Sequence, residues 1–413
     1  MNYYTGIKDV TNRAGHPPGY KKEAKNMLNA KTGTSTKADV RLAGKEAAQA
    51  VKEVKDMKMA FVYSGVQYDQ KALLEAISQE LPGVPLVGNT SFTGIITQDG
   101  FVTGDKGFVG VMAMGGEELT VGVAGMAKEG TARETGHKVA EAALKNAGKT
   151  EAPDYFYMVA PPGEEEFYLK GITEVIGRVP FFGGSAADNA IAGEWLLYTD
   201  QVVTADGVAV AFFYGDTGFA NEYTGAYEET EHAGIITKVD NYRTLAEIDG
   251  VPALKKYQEW TGASDEQVAG GNLLAYSITA PLGVKDPLGD LVAIRHPMNG
   301  NDDKTISVGN NLAENTAIIL MKGSVDGLIA STGKAVAKVT DKLGKAPAAY
   351  HLVHCGGRRA GIGDRIDEVA AELKKAAGDV PFICEFTFGE YGFEDDGRNT
   401  CGGLMLSFTA FGK

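Results

Sequence analysis

Residues Val179-Pro180-Phe181-Phe182-Gly183-Gly184-Ser185-Ala186 decide the fold, because the pattern stands at two other places. These are Val84-Pro85-Leu86-Val87-Gly88-Asn89-Thr90-Ser91 and Val380-Pro381-Phe382-Ile383-Cys384-Glu385-Phe386-Thr387. Proline has no N–H to give to a ladder, so it belongs at the first residue of a strand, where that donor would go unused. Each Val-Pro therefore marks a strand entrance. Before each entrance lies a strand-like run (residues 59–64, 155–160 and 350–354), followed by a helical pattern carried by Leu74, Ile77 and Leu81, by Leu169, Ile172 and Ile176, and by Ile366, Val369, Ala370 and Leu373. After each entrance come a turn region and another apolar run, at 107–114, 207–214 and 403–411. The repeated unit reads strand, helix, strand, strand.

A strand, a helix and a returning strand make a right-handed crossover, which sets the two strands parallel; the last strand closes the unit antiparallel. Further helices, one from about Val40 with Ala47, Val51 and Val54 on one face, and others at 135–146 and 331–343, lead into the three units. Residues 235–260 read as a strand, a turn at Asp249-Gly250 and a helix begun by Pro252. Strands follow at 291–295 and 316–321, and together these segments are expected to be a degenerate fourth unit. The expected architecture is α/β, a mixed-sheet two-domain protein of repeated strand-helix-strand-strand units, divided as 33–228 and 229–413. A polar extension, residues 1–32 with the turn Pro17-Pro18-Gly19, precedes them.

The chain has 413 residues, 44% hydrophobic and 23% charged, long enough for more than one core. A net charge of −14, with no run of five Lys/Arg, opposes nucleic acid as a partner. No apolar stretch approaches the roughly 20 residues of a membrane span. The first residues carry no apolar signal segment, so the expected compartment is the cytoplasm. Cys355, Cys384 and Cys401 are odd in number and lack CxxC spacing, which argues against a disulfide framework and against a thiolate zinc site.

Ligands in parallel α/β arrangements collect beyond strand C-termini. There the loop Cys355-Gly356-Gly357-Arg358-Arg359 adds glycine-lined backbone and two guanidinium groups able to fork onto a carboxylate. Glu164, Glu165 and Glu166 suit the dipole of a helix beginning there and need no ligand. The turns after the Val-Pro strands contribute Asn89, Thr90 and Ser91, then Gly184, Ser185 and Asp188, then Thr387 and Glu390. These are short polar groups suited to an amino or amide group, with Asp188 available for an ammonium. His351 and His354 stand three apart on a strand, so they face opposite ways and cannot chelate one metal ion. An enzyme reading rests on Cys355 or Ser185 as nucleophile. However, His354 adjoins Cys355 on the strand and faces away from it, and Ser185 is not in a GxSxG elbow.

Taken in order along the chain, several motifs resemble the FIST sensory family. They are Gly33-Thr34-Ser35-Thr36, Pro85-Leu86-Val87-Gly88-Asn89-Thr90-Ser91, Phe182-Gly183-Gly184-Ser185-Ala186-Ala187-Asp188, Glu247-Ile248-Asp249-Gly250-Val251-Pro252, Cys355-Gly356-Gly357-Arg358-Arg359 and Phe386-Thr387-Phe388-Gly389-Glu390. The resemblance implies FIST_N and FIST_C regions in a bacterial signal-transduction protein that senses a small ligand, an amino acid or similar carboxylated metabolite. It also implies signalling through a separate protein such as a kinase or cyclase. One branch of the family binds haem and senses nitric oxide, which is the alternative, with a single histidine as axial ligand; otherwise no cofactor is expected.

Overall fold

The computed structural model describes residues 27–285, 291–394 and 398–413. In the first unit, β1 (Asn29–Ser35), α1 (Val40–Gln49), β2 (Met57–Ser64), α2 (Gln70–Glu80) and β3 (Leu86–Thr90) lead into a short ribbon, β4 (Ile95–Thr97) and β5 (Gly100–Val102). The strand β6 (Val109–Gly115) closes it. The second unit repeats this order as β7 (Thr120–Ala127), α3 (Ala132–Ala147), β8 (Tyr155–Ala160), α4 (Glu165–Ile176), β9 (Phe181–Ser185), the ribbon β10 (Leu197–Thr199) and β11 (Val203–Thr204), and β12 (Gly207–Tyr214).

The third unit opens with β13 (Phe219–Thr224) and is then interrupted by an insertion. The insertion comprises β14 (Glu228–Asp240), β15 (Thr244–Ile248), β16 (Val251–Pro252), α5 (Ala253–Thr261), α6 (Asp265–Val268), α7 (Asn272–Tyr276), β17 (Leu282–Lys285), β18 (Val292–Arg295), β19 (Pro297–Gly300), β20 (Ile306–Val308) and β21 (Ala317–Lys322). The unit resumes with α8 (Val325–Leu343), β22 (Pro347–Cys355), α9 (Gly356–Ile362), α10 (Ile366–Ala377), β23 (Phe382–Thr387), the ribbon β24 (Glu390–Phe393) and β25 (Asn399–Gly402), and β26 (Leu406–Gly412).

The Val-Pro strands behave alike in all three units. β3, β9 and β23 pair parallel with β2, β8 and β22, and β6, β12 and β26 pair antiparallel on the other side. The backbone N–H groups of Ala60, Phe156 and Tyr350 donate to the carbonyls of Pro85, Pro180 and Pro381, each at 3.0 Å. Proline thus accepts at the strand entrance and has no donor to satisfy there. Helices are begun by local capping, as where Thr131 and Glu134 form a reciprocal box at α3, and α3 and α8 end on left-handed Gly148 and Gly344.

Each sheet is completed by another unit's ribbon. The strand orders are β1-β6-β2-β3-β10-β11, β7-β12-β8-β9-β24-β25 and β13-β26-β22-β23-β4-β5. The first unit's ribbon therefore extends the third sheet, the second unit's the first sheet, and the third unit's the second sheet, a closed cycle. One face of each sheet packs on its own helices, forming three separate apolar clusters. The opposite faces meet in a shared core containing Phe61, Tyr63, Tyr157, Phe182, Phe213, Ile383 and Phe411. Burial on both faces explains why strands such as β8 and β12 are apolar throughout rather than alternating.

Three expectations are corrected. Residues 29–32 do not belong to an extension but to β1, paired along its length with β6; residues 1–26 lie outside the described residues. Residues 228–322 are not a fourth unit: the pairings of β14–β21 are antiparallel, around a core of their own, with no Val-Pro strand returning parallel. The residues after β22 are not an open glycine loop, since Gly356–Ile362 is helical at once, with the Cys355 sulfur accepting from the Gly357 N–H.

The ribbon exchange demands a close approach at Gly184, where a Cβ would stand 2.7 Å from the Gly389 carbonyl oxygen and from the Thr387 methyl. The Ser185 N–H donates to that same carbonyl at 2.7 Å. A Gly184→Val variant is expected to lose about 1–3 kcal/mol in a denaturant titration, through displacement of the β24–β25 ribbon.

Candidate functional site

Phe61, Tyr157 and His351 occupy the same position in their units, opposite Val87, Phe182 and Ile383. Their rings meet where the three sheets converge, with centroids 5.1 Å (Phe61–Tyr157), 4.6 Å (Phe61–His351) and 5.5 Å (Tyr157–His351) apart. A polar chain runs beside this triangle. The Tyr63 hydroxyl bonds His351 Nε2 and donates to the Tyr157 hydroxyl at 3.3 Å. Tyr157 donates to Asn89 Oδ1 at 3.0 Å, and Asn89 Nδ2 donates to Glu385 Oε2 at 2.8 Å. A hydroxyl has one proton, so if Tyr63 donates to Tyr157 the imidazole must carry its proton on Nε2 and donate to Tyr63.

All five side chains are fully buried. Desolvation pushes the Glu385 carboxyl up to about 8, against the lowering effect of the bond from Asn89 and of the nearby Tyr63 hydroxyl, and pushes His351 down to about 3. Both are neutral at pH 7. Glu385 Oε1, 3.7 Å from His351 Nε2, and His351 Nδ1 have no hydrogen-bond partner among the described residues.

The other sequence-selected residues fall into separate places. Thr90 and Ser91 fasten neighbouring chain: the Thr90 hydroxyl accepts from the Leu196 N–H at 2.9 Å, and the Ser91 hydroxyl accepts from the Phe386 N–H at 2.9 Å. Asp188 accepts from the N–H groups of Ala190, Ala192 and Glu194 at 2.9–3.1 Å, so its carboxylate is spent on its own loop. Gly184 and Ser185 meet Thr387 and Glu390 across the exchanged ribbon. Thr387 donates to Glu390 Oε1 at 2.9 Å, the Met405 N–H donates to Oε2 at 2.9 Å, and burial pushes the Glu390 carboxyl up to about 8.

Gly356 and Gly357 lie in α9, packed against Phe388 and Leu404. Arg358 is fully buried and donates to the carbonyls of Gly225 (2.6 Å) and Leu328 (3.0 Å) and to the Ser331 hydroxyl (2.6 Å). Its fork grips the protein's own backbone instead of facing a cleft. Arg359 donates to the Gly363 carbonyl at 2.9 Å and lies 5.0 Å over the Phe101 ring. The acids at the start of α4 also have partners: Arg243 Nη2 reaches Glu165 Oε2 at 2.9 Å and Glu166 Oε2 at 2.6 Å, tying the second unit to the insertion.

Both nucleophile candidates are buried and held by local bonds. Ser185 Oγ bonds the buried Tyr391 hydroxyl at 2.7 Å. The Cys355 sulfur accepts from Gly357 and Leu404 N–H groups, and burial raises its pKa, keeping it a thiol. Four of the described histidines, candidates for axial ligation of haem, have defined surroundings. His351 and His354 are fully buried on opposite faces of β22, His351 among aromatic rings and His354 with Nδ1 on the Cys355 carbonyl. His296 Nε2 lies 3.0 Å from the Leu274 carbonyl. His137 borders a groove of about 730 Å³ lined also by Arg133, Glu134, Lys138, Glu164 and Glu174.

One feature with the dimensions of a ligand site was not selected from the sequence. It is a groove of about 780 Å³ between the β17–β18 hairpin, residues 311–317 and β25. Lys285, Arg295 and Arg398 line it with Asn311, Asn399 and Thr400, and no Asp or Glu is among its described lining residues. A smaller hollow of about 380 Å³ shares Arg295, Asn311, Asn399 and Thr400 and reaches Glu166 and Lys170 on α4. Arg295 is held in place by bonds from Nε to the Asn311 carbonyl (3.1 Å) and from Nη1 to the carbonyls of Ile294 and Cys401 (3.2 Å each); Nη2 donates to no acceptor among the described residues. These residues were missed because they come from three distant stretches with no motif in common.

Residues 58–251 match the family described as FIST N domain, and residues 253–392 match that described as FIST C domain. No curated protein matches the sequence. Among solved structures, cyanuric acid hydrolase from A. caulinodans aligns over 94% of this chain and 100% of its own at 11% identity and a TM-score of 0.35. Phosphoribosylformylglycinamidine synthase II from Thermotoga maritima aligns over 95% and 75% at 10% identity and a TM-score of 0.23. Likenesses this distant carry no argument about activity.

The buried carboxyls set a pH dependence. Glu385 holds its proton up to about 8 when folded, against 4.5 for the free group, so between those values the native state binds the extra proton and stability falls as pH rises. Each such carboxyl contributes a slope of up to ~1.4 kcal/mol per pH unit. Denaturation midpoints are expected to decline between about pH 7 and 8, above the range in which His351 and His296, lowered from 6.5 by burial, contribute the opposite slope. Glu385→Gln, which keeps the bond to Asn89, is expected to flatten that decline.

Proposed function

The chain belongs to the FIST family, whose domains are associated with sensory roles in signal transduction, and from that premise we propose that it is a small-molecule sensor whose ligand carries a carboxylate. The observation that carries this reading is the groove beside β18, where Arg295 and Arg398 line one hollow in a chain of net charge −14; Lys285, which also lines it, is ion-paired with Glu229 at 3.1 Å. A hollow of this volume suits a metabolite-sized guest. A carboxylate there would take charge-assisted bonds from Arg295 Nη2 and Arg398, with the amide groups of Asn311 and Asn399 beside them.

Position supports a sensory role as well. Asn311 lines the groove, and its N–H donates to Glu166 Oε1 at 3.0 Å while Arg243 binds the other oxygen. A guest on Asn311 is therefore one residue from the ion pair that joins α4 of the second unit to the insertion. A shift at that junction is what a separate signalling protein, such as a kinase or cyclase, would read. Among the described residues no helix is long and apolar enough to cross a membrane.

Calorimetry with a panel of small carboxylates and their neutral amides tests the proposal. Carboxylates are expected to bind and amides not. An Arg398→Ala variant is expected to weaken binding about tenfold or more, the effect of losing ~1.5–3 kcal/mol of charged hydrogen bonding. Carboxylate and amide binding alike, or full affinity in the Arg398→Ala variant, would refute it.

A further inference from the structure

We infer that Arg243 is a positioning residue for the ligand, fixing the Asn311 amide so that its N–H end is offered to the guest's carboxylate; the inference rests on the carboxylate reading of the same groove. Two sets of bonds carry it.

The first surrounds Asn311, which lines both the groove and the adjoining hollow. Its N–H donates to Glu166 Oε1 at 3.0 Å, its carbonyl accepts from Arg295 Nε at 3.1 Å, and its side-chain Oδ1 accepts from Arg243 Nε at 2.9 Å. An arginine nitrogen only donates, so the amide atom facing it has to be the oxygen, and the orientation of the amide is settled by its partner. Nδ2 is left with its two protons for a guest. It belongs to the residue whose carbonyl holds the Arg295 guanidinium, so a carboxylate on Arg295 has a neutral donor beside the charged one.

The second set holds Arg243 itself. Its carbonyl accepts from the Val308 N–H at 2.9 Å, Nη1 donates to the Gly309 carbonyl, and Nη2 reaches Glu165 Oε2 at 2.9 Å and Glu166 Oε2 at 2.6 Å. Every nitrogen of the guanidinium is engaged. A fork fixed on a backbone carbonyl and two carboxylates holds Nε in one direction, which the single nitrogen of a lysine does not reproduce. The ion pair that joins α4 to the insertion therefore also sets which end of the Asn311 amide a ligand meets.

Calorimetry on the full chain with benzoate, whose ring suits Val284, Ala293 and Leu312 in the lining, gives the test. Arg243→Lys keeps a positive charge beside Glu165 and Glu166 and is expected to weaken benzoate about fivefold, the effect of one misdirected hydrogen bond. In an Asn311→Ala background the same change is expected to have no further effect, because Arg243 acts through that amide. Asn311→Asp has to turn its second oxygen toward the guest, so it is expected to bind benzoate more weakly than Asn311→Ala, with Arg243 left in place. Thermal melts confirm folding of each variant. Unchanged affinity in Arg243→Lys, an equal loss with and without the Asn311 amide, or Asn311→Asp binding as well as Asn311→Ala overturns this inference and leaves the carboxylate reading standing. If benzoate does not bind, the tightest carboxylate of the panel takes its place, and binding of no carboxylate overturns both.

Discussion

The exchange of β-ribbons is the constraint on which the rest of the structure depends. A sheet that stopped at β3, β9 or β23 would expose a row of unpaired N–H and C=O groups, and each is covered by a ribbon from another unit. Because the cycle closes, no unit's sheet is complete by itself, and the three inner faces are forced onto one shared core. The third ribbon also carries Asn399 and Thr400, so the hydrogen bonding that completes the second sheet places one wall of the groove.

Repetition of the unit is broken where chemistry enters. Phe61, Tyr157 and His351 are equivalent in position, as are Asn89, Gly184 and Glu385. Two of the latter carry polar groups that bond each other; the third is glycine because the Gly389 carbonyl of the incoming ribbon occupies the space. A buried chain of this kind is costly unless each member has a partner, and it disfavours arrangements in which the partners separate. It therefore specifies which units lie against each other more than it adds stability.

Much of this was legible in the sequence. Three Val-Pro entrances, with helical periodicity ahead of each, specify parallel strands and an antiparallel closure, because proline's missing donor and the 3.6-residue period are local properties. The ribbon exchange was not legible, since nothing in residues 95–102 states that their partner is Glu385 instead of a neighbour in their own unit. The glycine-arginine segment misled for a physical reason: glycines beside arginines describe an anion loop and, equally, the start of a tightly packed helix whose arginine caps buried carbonyls. The groove stayed hidden because Lys285, Arg295 and Arg398 are ordinary surface-type residues until the insertion folds back against the third ribbon.

The insertion thus supplies Arg295 and the apolar wall, the third ribbon supplies Arg398, and the repeated units are the frame that holds the groove against α4. The central claim is that this groove, and neither the axial cluster nor the Arg358 helix, receives the ligand. A crystal structure of the protein with a bound aryl carboxylate tests it most directly. The account predicts the carboxylate within hydrogen-bond distance of Arg295 Nη2 and Arg398. Density for the compound beside His351 and Glu385, or at Arg358, would contradict it.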